Sequence, residues 1–69
     1  MIGVKYNKLL KLLIDKKMST AELRDRAGVS ANIISKIKQD QYISMESLAR
    51  ICVALDCTAD EILEFVKED

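Results

Sequence analysis

The stretch Ser19-Thr20-Ala21-Glu22-Leu23-Arg24-Asp25-Arg26-Ala27-Gly28-Val29-Ser30-Ala31-Asn32-Ile33-Ile34-Ser35-Lys36-Ile37-Lys38 decides the fold. Gly28 divides it in two. Ser19, with Glu22 three residues on, forms the reciprocal pattern in which a hydroxyl and a carboxylate each satisfy a backbone N–H at a helix start. A helix opened there stops at Gly28, because glycine takes the left-handed backbone of a C′ position without steric cost. Ser30 opens the next helix, which ends near Lys38. Leu23, Ile34 and Ile37 fill the core beneath both helices, and Val29 plugs the angle between them.

Two short helices joined by a glycine turn and crossing at about 90–120° form a helix-turn-helix arrangement. Working outward, the same punctuation recurs. In four places a polar cap is preceded by an apolar residue and followed four residues later by another, the N′ and N4 positions of a hydrophobic staple. The sets are Met18-Ser19…Leu23, Val29-Ser30…Ile34, Ile43-Ser44…Leu48 and Cys57-Thr58…Ile62. Thr58 with Glu61 adds a second capping box. Four helix starts follow.

A further helix precedes them, from about Lys5 to Lys16. Tyr6, Leu9, Leu10, Leu13 and Ile14 share one face at helical spacing, while Lys5, Lys8, Lys11 and Lys16 take much of the other side. Leu12 lies off the stripe and is expected to be partly exposed. The fourth helix follows Ser44, with Leu48, Ile51, Cys52 and Leu55 inward. The fifth follows Thr58, with Ile62, Leu63, Phe65 and Val66 apolar; Phe65 and Val66 either close the core or meet a second subunit. The expected architecture is all-α, five short helices in one domain spanning residues 1–69.

Composition narrows the function. The chain has 69 residues, 49 % apolar and 32 % charged, a globular balance in one small domain. Two Gly and no Pro leave too few turns for an all-β fold. The longest apolar runs, such as Ile51 to Leu55, fall far short of the ~20 residues that span a bilayer. No basic segment followed by an apolar run opens the chain, so no secretory signal and no membrane partner are expected. The absence of His removes the commonest general base and the commonest zinc ligand. Cys52 and Cys57 are too few for a zinc site, and both have packing roles, which favours inert thiols over redox sensing. No phosphate-cradling loop or dinucleotide turn occurs. A binding protein is expected rather than an enzyme, with no metal, cofactor or small-molecule ligand.

The net charge is zero, but its distribution is uneven. Residues 1–40 hold nine Lys and Arg against four Asp and Glu, giving +5, and residues 41–69 hold two against seven, giving −5. A basic face for a polyanion and an acidic end held away from it would produce this split, as would an unevenly sampled ordinary surface.

At 100° per residue, Ile33, Ile34 and Ile37 point one way and Asn32, Ser35 and Gln39 the other, flanked by Ala31 and Lys36. The outward face is small and polar, with one cation and no acid. It suits a major groove: Asn32 could pair with adenine N6/N7, Lys36 with guanine O6/N7 or a phosphate, and Ala31 with a thymine methyl. A solvated face without a partner has the same composition.

The run Leu23…Ala27-Gly28-Val29-Ser30…Ile34-Ser35-Lys36-Ile37 resembles the XRE-type, Cro and phage-repressor-like helix-turn-helix family. Tyr42-Ile43-Ser44…Leu48…Ile51-Cys52…Ala54-Leu55…Cys57…Asp60-Glu61-Ile62-Leu63 is similar to the last two helices of its small single-domain members. The resemblance covers about residues 5–66. It implies a five-helix, lambda-repressor-like domain and a cytoplasmic, sequence-specific regulator of transcription, a repressor by occupation of a double-stranded DNA operator. Such members usually dimerise, which sets two recognition helices about 34 Å apart along the duplex.

By position, the resemblance places Ala31, Asn32, Ser35 and Lys36 at base-reading sites. Thr20 stands where the family often has Gln, at a helix start that favours a phosphate. Lys38, Gln39, Tyr42 and Ser44 fall on the loop that runs along the DNA backbone; for Tyr42, packing over the loop is the alternative. Arg24 replaces a usual small residue, so either the helix tilts or Arg24 leans outward. Lys38 replaces a usual Glu, and Asp40 stands where Gly commonly ends the helix. A different class of function also fits this fold: a protein-interaction adaptor or antitoxin-like module working through the acidic half and apolar tail.

Overall fold

The computed structural model describes residues 1–67. The chain runs β1 (Ile2–Lys5), α1 (Asn7–Asp15), α2 (Thr20–Ala27), α3 (Ala31–Lys38), α4 (Met45–Leu55), a single 3-10 turn (Ala59–Glu61) and β2 (Glu64–Lys67). Four helices and a two-stranded sheet therefore replace the expected five helices. No helix among the described residues is long and apolar enough to cross a membrane.

The caps of the central helices are those the sequence encodes. Ser19 Oγ accepts from Glu22 N–H at 3.1 Å, and Ser19 N–H donates to Glu22 Oε1 at 3.4 Å, completing the capping box. Ser30 Oγ accepts from Ile33 N–H at 3.4 Å and Ser44 Oγ from Ser47 N–H at 3.1 Å. Gly28 closes α2 at φ 68°, ψ 33°. A β-carbon at Gly28 would also sit 3.4 Å from Arg50 Nη1, so α4 braces the turn from behind.

Both chain ends depart from the helical expectation. Thr58 makes no cap to the backbone; its hydroxyl meets the Glu61 carboxylate at 3.3 Å instead, and only one 3-10 turn follows. Phe65 and Val66 then leave helical geometry to pair with the N-terminus. β1 and β2 are antiparallel, with Ile2 opposite Lys67, Gly3 opposite Val66, Val4 opposite Phe65 and Lys5 opposite Glu64. Aromatic and β-branched residues suit a strand once a partner strand is present. Lys5 lies in β1, so α1 begins only at Asn7.

One core gathers Val4 and Tyr6, Leu9 and Leu13 of α1, Leu23 and Ala27 of α2, Ile34 and Ile37 of α3, Ile51 and Leu55 of α4, and Ile62. Leu12 is half-buried, as its position off the stripe implied. Ile14 is 75 % exposed rather than inward, because α1 ends one residue later and the chain turns away beneath it. Phe65 is 67 % exposed and does not close the core. Cys52 and Cys57 are free and half-buried. Burial, then the adjacent Cys52 and Glu61, raises the Cys57 thiol above its usual range and disfavours the reactive thiolate.

Candidate nucleic-acid interface

The outward face of α3 is presented by its packing. Ile34 and Ile37 anchor it in the core, which leaves Ala31, Asn32 and Ser35 exposed and Lys36 half-buried. The side chains of Asn32 and Lys36 make no hydrogen bond or ion pair with any described residue. Both are therefore available to a partner without breaking an internal contact.

Beside this face lies a cleft of about 310 Å³ between α2 and α3, walled by Thr20, Arg24, Ala31, Ser35 and Lys38 among others. Thr20 occupies the first position of α2, where backbone N–H groups lack helical partners and attract an anion. Lys38 projects from the far end of α3 with no partner among the described residues. Arg24 is the residue that sequence reasoning passed over. It does lean outward, and it adds a guanidinium to the cleft wall. Its contact with the neighbouring Asp25 is long, 3.7 Å, and exposed, so it restrains the arginine little. The signal was present in the sequence: a cation one turn after Thr20 on the same helix face.

The remaining candidates are engaged elsewhere. Gln39 Nε2 donates to Ser35 Oγ at 3.2 Å, and Gln39 Oε1 accepts from Gln41 Nε2 at 3.2 Å. This chain of amides steadies Ser35 while leaving its hydroxyl proton free. Ser44 is consumed in capping α4 and donates to Ser47 Oγ at 3.0 Å. Tyr42 is 57 % exposed, but its hydroxyl donates to the Ile2 carbonyl at 2.6 Å and binds the loop to β1.

The loop after α3 is held by its own residues. Asp40 adopts φ 54°, the left-handed conformation that glycine takes more easily. Its carboxylate accepts the Tyr6 N–H at 3.2 Å, which gives the strained residue a structural role that glycine cannot fill. The buried Tyr6 hydroxyl donates to the Gln41 carbonyl at 2.7 Å. Burial, with Asp40 and Tyr42 nearby, raises the Tyr6 phenol above its ordinary value. Residues 40–42 are thus stitched to β1 and its continuation by three hydrogen bonds. The exit of α3 is set by the sheet.

Comparison with known proteins places this geometry. A family model of the Cro/C1-type helix-turn-helix DNA-binding domain matches residues 8–68. The chain is 33 % identical over 60 residues to an uncharacterised HTH-type transcriptional regulator of Bacillus subtilis, YozG, covering 84 % of this chain and 71 % of the relative. The crystal structure of the transcriptional regulator VanUg superposes with a TM-score of 0.92 at 40 % identity, covering 97 % of this chain and 89 % of that one.

Proposed function

The chain belongs to the Cro/C1-type helix-turn-helix family and is a DNA-binding transcriptional regulator; from that premise we propose that residues 1–69 act as one DNA-binding domain, in the cytoplasm, as a homodimeric repressor that places α3 in the major groove of an operator. The family is one of DNA-binding regulators and not of enzymes.

The observation that carries the reading is the outward face of α3. Asn32 and Lys36 stand on it without internal partners, beside a cleft that collects two cations. In this pose the Asn32 amide pairs with adenine N6/N7 and the Lys36 ammonium with guanine O6/N7. Ala31 lies against a thymine methyl, and Ser35 offers its hydroxyl proton to a base edge. Thr20, Arg24 and Lys38 take the flanking phosphates, assisted by the backbone N–H groups at the start of α2. Gln39, Tyr42 and Ser44 contribute by shaping the loop that passes the backbone. Two subunits with recognition helices about 34 Å apart read successive turns of the duplex, and the occupied site excludes the transcription machinery.

Selection of bound sites from a random duplex pool tests this directly. A recovered motif with dyad symmetry, lost on Asn32→Ala with Lys36→Ala, supports the reading. Normal operator binding by that double variant overturns the assignment of α3. If no duplex is retarded at micromolar protein and low salt, the adaptor function takes its place.

A further inference from the structure

The end of α4 brings two thiols together. The helix stops at Leu55, and Asp56 takes the left-handed backbone, φ 51°, ψ 54°. The Asp56 N–H donates to the Val53 carbonyl at 3.3 Å, and the Cys57 N–H turns back to the Cys52 carbonyl at 3.0 Å. This pair of bonds is the Schellman reversal, which lays the second residue beyond a helix against a residue of its last turn. Apolar side chains commonly fill that contact. Here it is made by Cys52 and Cys57, whose side chains are hydrogen-bonded to each other. Both are free, half-buried and packed against the core.

Position rather than nucleophilic reactivity makes the pair useful. Two sulfurs held on a fixed reversal are a preorganised chelate, because an ion that binds both has no flexible segment to order first. The donor set selects the ion. Among the described residues no three His, Cys, Asp or Glu side chains gather in one place to hold a metal. A cation that demands four ligands, as zinc does, finds half of its shell here. Thiolates are soft ligands that suit Cu(I), whereas carboxylate and carbonyl oxygens suit the harder divalent ions. Cu(I) is satisfied by two thiolates in line.

We propose that Cys52 and Cys57 form a binding site for a soft, monovalent d10 cation, Cu(I), held between two thiolates. The ion replaces the two thiol protons, which pass to solvent, and leaves a bis-thiolate of one net negative charge. No electron is transferred, so no oxidant or reductant is required. The Lys16 ammonium, brought toward Cys57 from the end of α1, offsets that charge, and the Glu61 carboxylate opposes it. Neither cysteine is sealed from solvent, so the ion has a way in. Once bound, it ties the last turn of α4 to the residue that leads into the 3-10 turn. The inference is independent of the DNA reading, since none of these residues is assigned to the duplex.

The test uses the full chain, reduced and under argon, with Cu(I) supplied on a chromogenic chelator. Wild type is expected to withdraw one ion per chain, to gain the ultraviolet absorption of a copper–thiolate bond and to melt at a higher temperature. Cys52→Ser and Cys57→Ser should each lose that uptake and that absorption with an unchanged helical circular dichroism spectrum. Cys57→Ala repeats the second loss should serine upset the packing. Lys16→Glu should weaken uptake while keeping one ion per chain, and an equal concentration of Zn(II) should not compete. The site falls if wild type leaves the Cu(I) on the chelator, or if either single-cysteine variant withdraws the ion as wild type does. It falls equally if sedimentation shows one ion shared between two chains, since the thiols of a single chain would not then enclose it.

Discussion

Two surfaces of this molecule face solvent with opposite chemistry. The outward side of α3 carries small groups, mostly polar, and a cation, while Ile34 and Ile37 are turned into the core. The sheet carries Ile2 and Phe65, two large apolar groups that the core leaves uncovered. A polar face costs nothing to leave wet and gains by meeting the charged walls and base edges of a groove. An apolar face gains by leaving water. The contrast separates a face suited to a DNA groove from one that gains by being covered. Residues 40–42 join the two regions, because their bonds to β1 and Tyr6 fix where α3 ends.

The largest expected effect falls on α3 alone. Asn32→Ala with Lys36→Ala should cost roughly 1–3 kcal/mol at each base read and relax sequence choice there. Melting temperature and self-association should stay as in wild type, since neither side chain has an internal partner. A change in association state measured by sedimentation would erase the separation of the two surfaces.

Gly28→Ala acts on the turn that aims α3. An L-residue in the left-handed region loses about 1–2 kcal/mol, while the added β-carbon only comes into contact with the tip of Arg50 at 3.4 Å. Denaturant unfolding should show a loss of that size. Unchanged stability would mean that packing against α4, rather than the turn, sets the position of α3.

Tyr6→Phe tests the link between the regions. It removes the 2.7 Å bond to the Gln41 carbonyl, worth about 1 kcal/mol. The raised phenol makes a further prediction. Its contribution to stability is fully present below about pH 10 and is lost as pH climbs from there through the raised native value. Unfolding curves of wild type should therefore weaken above that pH, and those of Tyr6→Phe should weaken less.

The smallest effect in free energy is the easiest to isolate. Arg24→Ala and Lys38→Ala should each reduce the slope of log affinity against log salt by about 0.9, without altering the preferred site. Retention of the full slope in Arg24→Ala would remove that residue from the phosphate cleft.

The middle of the chain was legible because its signals are local. Ser19, Ser30 and Ser44 each satisfy a donor three residues away, and Gly28 acts within its own turn. The placement of Asn32, Ser35 and Lys36 followed from helical periodicity on Ile34 and Ile37. The ends were not legible by the same means. Thr58 and Glu61 carry the letters of a capping box, yet the chain beyond them pairs with residues 59 to 65 positions earlier. The short local pattern had no access to Ile2–Lys5, and a weak helix start yields to a sheet that completes the core around Val4 and Ile62. Tyr42 and Ser44 were read as backbone contacts by position; their hydroxyls turn out to be occupied by bonds whose partners, for Tyr42, lie forty residues away.

Sequence alone determined the capped central helices, the glycine turn and the polar face of α3, since caps, turns and periodicity act between residues a few positions apart. Only the tertiary structure decided that the two ends form a sheet, that Arg24 lines the cleft with Lys38, and that the loop after α3 is moored to β1. Those features depend on the three-dimensional approach of distant segments, whose cost in chain entropy is offset only when the whole core closes.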